Sequence, residues 1–294
     1  MKLLSFKKNG YSGPGILRDS GVFPLRQLGF DDSVSFIAAG PQERQRVEKL
    51  VISASPRELL PLETVKLTAP IPRPSKLLCI GLNYRDHAIE SKMELPSVPT
   101  VFAKYTNAVI GPGEPIVLPS TTQKPDYEAE FAVVIGKRAK RVSRDNWRDC
   151  VFGYTIVNDV SARDVQLATS QWTLGKSFDT FAPIGPHIVT VDEVPDPHTL
   201  DISLSIAGET LQHSNTRELI FGVPQLIEYI STFLTLEPGD IVSTGTPAGV
   251  GLGRTPPRWL RAGEEVVIEI EKIGILRNPV VAEQGNREQH PPQQ

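Results

Sequence analysis

Cysteine, basic charge and long apolar runs are all scarce in this chain. The 294 residues hold two cysteines, Cys79 and Cys150, each in an apolar context. That count excludes a zinc site built on thiolates, and it favours two buried free thiols and a reducing compartment. The formal net charge is -3, so there is no basic field to attract nucleic acid. The densest basic patch, Lys137-Arg138-Ala139-Lys140-Arg141, follows a strand-like run and reads as a solvated turn. No segment approaches the roughly 20 apolar residues of a membrane span. Met1 to Phe6 is broken at once by Lys7-Lys8-Asn9-Gly10, which leaves no secretory h-region. The expectation is a cytoplasmic protein, with the mitochondrial matrix as the alternative, and neither membrane nor nucleic acid as a partner.

Proline is abundant, with 26 residues. Many of them separate short apolar runs, which argues for strands and loops rather than a helical bundle. Pro70-Ile71-Pro72-Arg73-Pro74 can continue neither a helix nor a central strand. It is read as a connector between a small α+β unit over 1–70 and a main domain over 73–281. Residues 282–294 have almost no apolar content and read as a disordered tail. Strands are expected near 77–81, 100–104, 115–118, 129–136, 151–159, 186–191, 201–207, 240–244, 265–271 and 274–280, with a hairpin turn at Gly208-Glu209. Pro224 to Leu234 carries an apolar stripe at helical spacing. Ser161 is placed as the cap of a helix running to about Ala168, and Ser143 to Arg148 as a short helix.

Three features carry chemistry. In Asp126-Tyr127-Glu128-Ala129-Glu130, followed by an apolar run, strand geometry points Glu128 and Glu130 the same way, with Cα atoms roughly 6.6 Å apart. Two carboxylates aimed together beside a buried segment need a proton or a cation between them. Asp159 ends a second apolar strand and makes a third acid. Three carboxylates with one divalent cation leave a charge of -1, which Lys176 would cancel. An all-oxygen set suits Mg²⁺ or Mn²⁺ better than zinc. The plain alternative is the wet face of an edge strand. In Asn83-Tyr84-Arg85-Asp86-His87-Ala88-Ile89-Glu90, His87 and Glu90 are neighbours on a helical turn, the arrangement that fixes a tautomer and raises basicity; a solvated histidine with a chance acidic neighbour is the alternative. Thr244-Gly245-Thr246-Pro247-Ala248-Gly249-Val250-Gly251 is a Gly-rich loop whose amides could approach an oxyanion, or a simple turn. It lacks the endings of nucleotide-binding loops.

Taken in order, Gly81 to His87, Asp126 to Glu130, Asn158-Asp159-Val160-Ser161-Ala162-Arg163-Asp164-Val165-Gln166, Gly175-Lys176-Ser177-Phe178-Asp179 with Pro183-Ile184-Gly185-Pro186, and Thr244 to Gly251 resemble the fumarylacetoacetate hydrolase family over residues 73–281. The likeness is closest to the branch holding fumarylacetoacetate hydrolase domain-containing protein 2 and bacterial 2-keto-4-pentenoate hydratase or diketo-sugar-acid hydrolase relatives. The resemblance implies an α+β, mostly β fold, a mixed β-roll with a small N-terminal domain, assembled as a homodimer. It implies Mg²⁺ or Mn²⁺ on Glu128, Glu130 and Asp159, and His87 and Glu90 on a lid segment as acid–base groups. It implies Lys176 on the substrate's oxo-acid end, helped by Arg163, Gln166, Thr244, Gly245 and Thr246. The favoured reaction is hydrolysis of a C–C bond in a β-diketo 2-oxo acid. The alternatives on the same site are oxaloacetate tautomerisation or decarboxylation, and 2-oxo-enoic acid hydration or isomerisation. A binder of small dicarboxylates without catalysis is the reading from another class.

Overall fold

The strand Ala129–Ile135 is buried at all 7 positions, and its neighbour Val151–Asn158 at all 8. An antiparallel pair with one wet face alternates apolar and polar residues; an unbroken buried run means that both faces are covered. The computed structural model describes residues 1–284 and shows both covers.

In chain order the strands are β1 (Lys2–Lys8), β2 (Tyr11–Arg18), β3 (Gly21–Pro24), β4 (Leu60–Pro61), β5 (Lys66–Thr68), β6 (Leu77–Gly81), β7 (Thr100–Lys104), β8 (Val109–Ile110), β9 (Ile116–Leu118), β10 (Pro125–Asp126), β11 (Ala129–Ile135), β12 (Val151–Asn158), β13 (Ser161–Ala162), β14 (Ala182–Thr190), β15 (Asp201–Ile206), β16 (Glu209–Asn215), β17 (Ile241–Ser243), β18 (Glu265–Ile270) and β19 (Gly274–Ala282). The helices are α1 (Ser33–Ala38), α2 (Gly40–Ser53), α3 (Arg85–Glu90), α4 (Arg163–Gln166), α5 (Thr173–Lys176) and α6 (Val223–Phe233). The large sheet has the order β4-β3-β2-β1-β14-β12-β11-β17-β6-β7, with β5 added to β1 and β8 to β14. A second sheet runs β16-β15-β18-β19-β9. The fold is mostly sheet, as expected. No helix among the described residues is long and apolar enough to cross a membrane.

Alternate residues of β11 enter different cores. Phe131, Val133 and Ile135 pack with Ile202, Leu204 and Ile268 of the second sheet and with Leu226, Ile227 and Ile230 of α6. Ala132 and Val134 pack on the other side with Phe36 and Ile37 of α1 and Val47 and Val51 of α2. Lys2 and Leu3 pair with Val189 and Ile188, so strand pairing and this second core both join the first 70 residues to the rest. The expected tail falls mainly on residues outside those described. Within them, Ala282 pairs with Leu118, and Glu283 accepts hydrogen bonds from the amide and hydroxyl of Ser120.

Several local expectations shift. Strand β14 begins at Ala182, four residues ahead of the predicted start, with Ile184 and Gly185 paired to β12 and Ala182 and Pro183 to β8. Ser161 does not cap a helix: its hydroxyl donates to Asp159 O, and its backbone pairs with Asp126. The segment from 144 to 150 is a 3-10 helix.

His187 on β14 has a ring nitrogen, Nε2, with no hydrogen-bond partner among the described residues. Burial, with Lys2 nearby, drives its pKa from 6.5 down to about 4. The folded pKa lies below the unfolded one, so between these values the unfolded chain takes the proton first, and stability falls as the pH falls. At 1.36 kcal/mol per pH unit the full loss is about 3 kcal/mol. Urea midpoints at pH 7 and pH 4.5 test this. The wild type should lose more than His187→Gln by most of that amount, and equal losses would refute it.

Candidate active site

The register between β11 and β12 pairs Ala129 with Asn158. The Asp159 amide donates to Glu128 O at 3.0 Å. Glu128, Glu130 and Asp159 therefore stand at the same end of adjacent strands, and one carboxylate oxygen from each lies within 4.8 Å of the others. All three are buried. Burial and the carboxylates of Asp159 and Glu128 push Glu130 well above the usual carboxylate range. Burial also pushes Glu128 up, but the charges of Lys176 and Arg163 outweigh it and hold this group low.

Lysine supplies much of the balancing charge. Lys176 Nζ donates to Glu128 Oε2 at 2.7 Å and to Asp159 Oδ2 at 2.8 Å. Burial lowers its pKa, but the two carboxylates more than restore it. Lys104, on β7, donates from the far side to Asp159 Oδ1 at 2.6 Å and to Val160 O at 3.0 Å. Arg163 bridges Asp126 at 2.8 Å and Glu128 at 2.6 Å, and donates to Gln166 Oε1 at 3.0 Å. With Asp126 included, four carboxylates face three cations and one negative charge remains. The sequence count had Lys176 alone.

These residues fit a hard divalent cation. The donors are all oxygen, and the like-charge conflict at Glu130 is what an ion would relieve. Glu130 Oε2 is tied to Ser243 Oγ at 2.5 Å and to the Gly245 amide at 3.1 Å. Its other oxygen has no hydrogen-bond partner among the described residues. Carboxylate oxygens carry two lone pairs each, so the lysine contacts leave acceptor capacity on Glu128 and Asp159. A divalent ion would turn the net charge of this cluster to +1, suited to an anionic ligand.

The His87–Glu90 pair is built on α3. His87 Nδ1 lies 3.1 Å from Glu90 Oε2, and Glu90 Oε1 accepts from the Gly249 amide at 2.9 Å. Burial pushes the Glu90 carboxyl up, but the hydrogen bonds from His87 and Gly249 outweigh it, and Glu90 stays ionised. An ionised partner at Nδ1 assigns the ring proton there and leaves Nε2 free to accept one. Gly249 can do this because it has a φ of 101° and no Cβ, which would collide with Leu211 O. Asp86 accepts from Ser214 Oγ at 2.5 Å and fixes the start of the helix.

One cavity of about 540 Å³ is lined by His87, Glu90, Glu128, Glu130, Arg163, Gln166, Lys176 and Thr246, with Phe102 and Trp172 as apolar walls. A Cβ on Gly175 would run into the Gln166 backbone, so this glycine is what lets α4 and α5 close and set Gln166 beside Lys176. Asp159 lies directly behind the cavity wall. Thr246 reaches the wall, with its hydroxyl donating to Ala129 O at 3.0 Å. Thr244 and Gly245 sit behind it: Thr244 bonds Phe131 O through its hydroxyl and its amide, and the Gly245 amide serves Glu130.

Three residues were not singled out from the sequence. Lys104 gave no signal beyond its place at the end of an apolar strand. Asp126 extends the alternation of Glu128 and Glu130, a signal that was available; besides holding Arg163 it accepts from the amides of Gly251 and Leu252 at 2.7 and 3.0 Å. Gln212 joins the start of β11 to the Gly-rich loop, accepting from the Ala129 amide and donating to Thr246 Oγ1.

Comparisons with known proteins agree with this geometry. Residues 76–281 match the family described as fumarylacetoacetate (FAA) hydrolase C-terminal. The chain is similar to the mitochondrial oxaloacetate tautomerase FAHD2A of Bos taurus, 41% identical over 292 residues, 96% of this chain and 92% of that protein. Among solved structures it resembles the fumarylacetoacetate hydrolase of psychrophilic Exiguobacterium antarcticum, at 34% identity and a TM-score of 0.85, covering 96% of this chain and all of that one. It also resembles the maleylpyruvate hydrolase of Sphingobium sp. SYK-6 in complex with manganese(II) ion and pyruvate, at 30% identity and a TM-score of 0.81, covering 97% of this chain and all of that one. With an oxygen triad able to hold a metal, a hydrogen-bonded His87–Glu90 pair on the neighbouring cavity and a family match over residues 76–281, this chain belongs to the fumarylacetoacetate hydrolase family and is one of its enzymes.

Proposed function

We propose that this enzyme takes Mg²⁺ or Mn²⁺ on Glu128, Glu130 and Asp159 and interconverts the keto and enol forms of a small 2-oxo acid, oxaloacetate first among them. The observation that carries the reading is that the His87–Glu90 pair lines one cavity with Glu128 and Glu130 of the oxygen triad, whose third member, Asp159, lies within 4.8 Å of both. The similarity to an oxaloacetate tautomerase over nearly the whole chain supports the choice of reaction.

Tautomerisation moves one proton between C3 and the 2-oxygen. When bound, the ion supplies Lewis acidity toward the oxygens of the 2-oxo acid. The chain's own residues do the rest. His87 Nε2 takes the C3 proton, and the imidazolium so formed is stabilised by ionised Glu90 at Nδ1. The same nitrogen then delivers that proton to the 2-oxygen to give the enol, and the reverse order of transfers gives the keto form. An ammonium group has three donors; Lys176 uses two on carboxylates and has one left for the 2-oxygen, where negative charge develops. Arg163 and Gln166, locked to each other at 3.0 Å, orient the carboxylate end.

Hydrolysis of a C–C bond is the second reading. It is favoured because the same pair can deprotonate water, and a solved relative is named a maleylpyruvate hydrolase. The test follows the ultraviolet band of enolic oxaloacetate and, separately, pyruvate release from acetylpyruvate, both with Mg²⁺. Faster ketonisation without carbon–carbon cleavage supports the proposal. Cleavage of acetylpyruvate without an effect on oxaloacetate moves the assignment to hydrolysis. Metal bound with neither reaction would leave a binder.

A further inference from the structure

Four cationic or basic side chains line the cavity: His87, Arg163, Lys176 and Arg254. Three have acidic partners. His87 pairs with Glu90, Arg163 with Asp126 and Glu128, and Lys176 with Glu128 and Asp159. Arg254 has none within 4.0 Å among the described residues. Its guanidinium donates to neutral groups, Leu211 O at 2.6 Å, Gly249 O at 3.4 Å and the Tyr127 hydroxyl, and the Glu90 carboxylate, whose charge it feels, is already engaged by His87 and the Gly249 amide. A guanidinium has five N–H donors, so donors of this group remain open to a ligand.

Arg254 is held firmly in place. It follows the turn Gly251–Gly253, whose first two amides are fixed by Asp126, and Gly253 lies against the Glu90 carboxylate, where a Cβ would meet Glu90 Cδ at 2.7 Å. The half-buried charge therefore sits on the wall built by the Gly-rich loop, beside the acid–base pair. Arg163 and Lys176 come from a different segment and are already neutralised by carboxylates. A partly desolvated cation with no ion-pair partner in contact gains from a ligand that brings one, and planar guanidinium favours a carboxylate through paired hydrogen bonds.

We infer that Arg254 is a specificity-determining residue that binds the distal carboxylate of a dicarboxylic 2-oxo acid, the C4 carboxylate in the case of oxaloacetate. The role rests on reading the cavity as a 2-oxo acid site. It gives the distal end of the substrate a charge preference.

The test compares oxaloacetate with its 4-methyl monoester, which keeps the 2-oxo acid end and loses the distal charge. Wild type, Arg254→Gln and Arg254→Lys are assayed with Mg²⁺, and binding of both acids is measured by calorimetry. Arg254→Gln should raise KM and Kd for oxaloacetate by about 10- to 100-fold, the worth of a charge-assisted hydrogen-bond pair. It should change kcat by no more than a few-fold and leave the monoester unaffected, and Arg254→Lys should fall between. A purely structural role in holding the Gly249 and Leu211 carbonyls would move both acids together, so equal weakening, or none, overturns the assignment. The monoester arm is an internal control for folding in each variant. A wild type that neither binds nor turns over either acid would overturn the functional reading itself. A wild type active on both, with an unchanged ratio in Arg254→Gln, overturns the role of Arg254 alone.

Discussion

Replacing His87 with alanine should lower kcat on oxaloacetate by about 10²–10⁴, the usual worth of a positioned general base, while metal affinity stays at the wild-type level. That is a rise of roughly 3–5 kcal/mol in the barrier. The size follows from the geometry. Among the described residues lining the cavity, His87 is the one imidazole, with Nδ1 against Glu90 and Nε2 left to accept a proton, and Glu90 is held ionised to stabilise the product of that transfer. The ammonium and guanidinium groups on the wall carry no acceptor lone pair and cannot substitute. Metal binding should be spared because His87 is on α3 and makes no contact with the triad. The check is kcat with oxaloacetate beside a Mn²⁺ titration of the same preparation. Full activity in the variant would remove the proton-transfer role, and lost Mn²⁺ affinity would show that α3 helps build the metal site.

Glu130→Gln should produce two effects of opposite sign. Without metal the variant should be more stable than the wild type. Burial and the neighbouring carboxylates hold the Glu130 pKa above its ordinary value, so its charged form is disfavoured in the folded state. A group of this kind costs stability at neutral pH and regains it as the pH falls, and the neutral amide is free of that cost. The Gln carbonyl can keep the bonds from Ser243 and Gly245. With metal the order should reverse. Loss of a partner one layer outside the ligands already costs 10–100-fold in metal affinity, so loss of a ligand charge should cost at least about 100-fold. At one hundred times Kd, Mg²⁺ should stabilise the wild type by about 2.7 kcal/mol, and the variant at the same concentration should gain little. Melting curves with and without Mg²⁺ check both signs. A variant less stable in both conditions would mean that Glu130 is a structural group.

The triad was legible because its chemistry is local in the chain. Glu128 and Glu130 share a face through the two-residue period of a strand, and Asp159 ends the adjacent apolar strand. Hidden apolar faces explain why β11 and β12 read as buried runs. What the sequence hid was placed by tertiary contact. Lys104 looks like the wet end of an edge strand, yet it is buried against Asp159. Arg254 lies in a Gly- and Pro-rich stretch that reads as a loop. The Gly-rich segment read as a loop whose amides could approach an oxyanion, or as a simple turn. Much of it instead braces the site: Gly245 serves Glu130, Gly249 serves Glu90, and Gly251 meets Asp126. The N-terminal strands gave no sign that they pair with β14, because pairing across 180 residues leaves no local periodicity.

Crystals grown with Mn²⁺, with the ion located by its anomalous scattering, test the central claim most directly. The account predicts a single site at about 2.0–2.3 Å from carboxylate oxygens of Glu128, Glu130 and Asp159, open to the cavity that His87 lines. Manganese found only at the surface, or the three acids turned apart with the ion elsewhere, would contradict it.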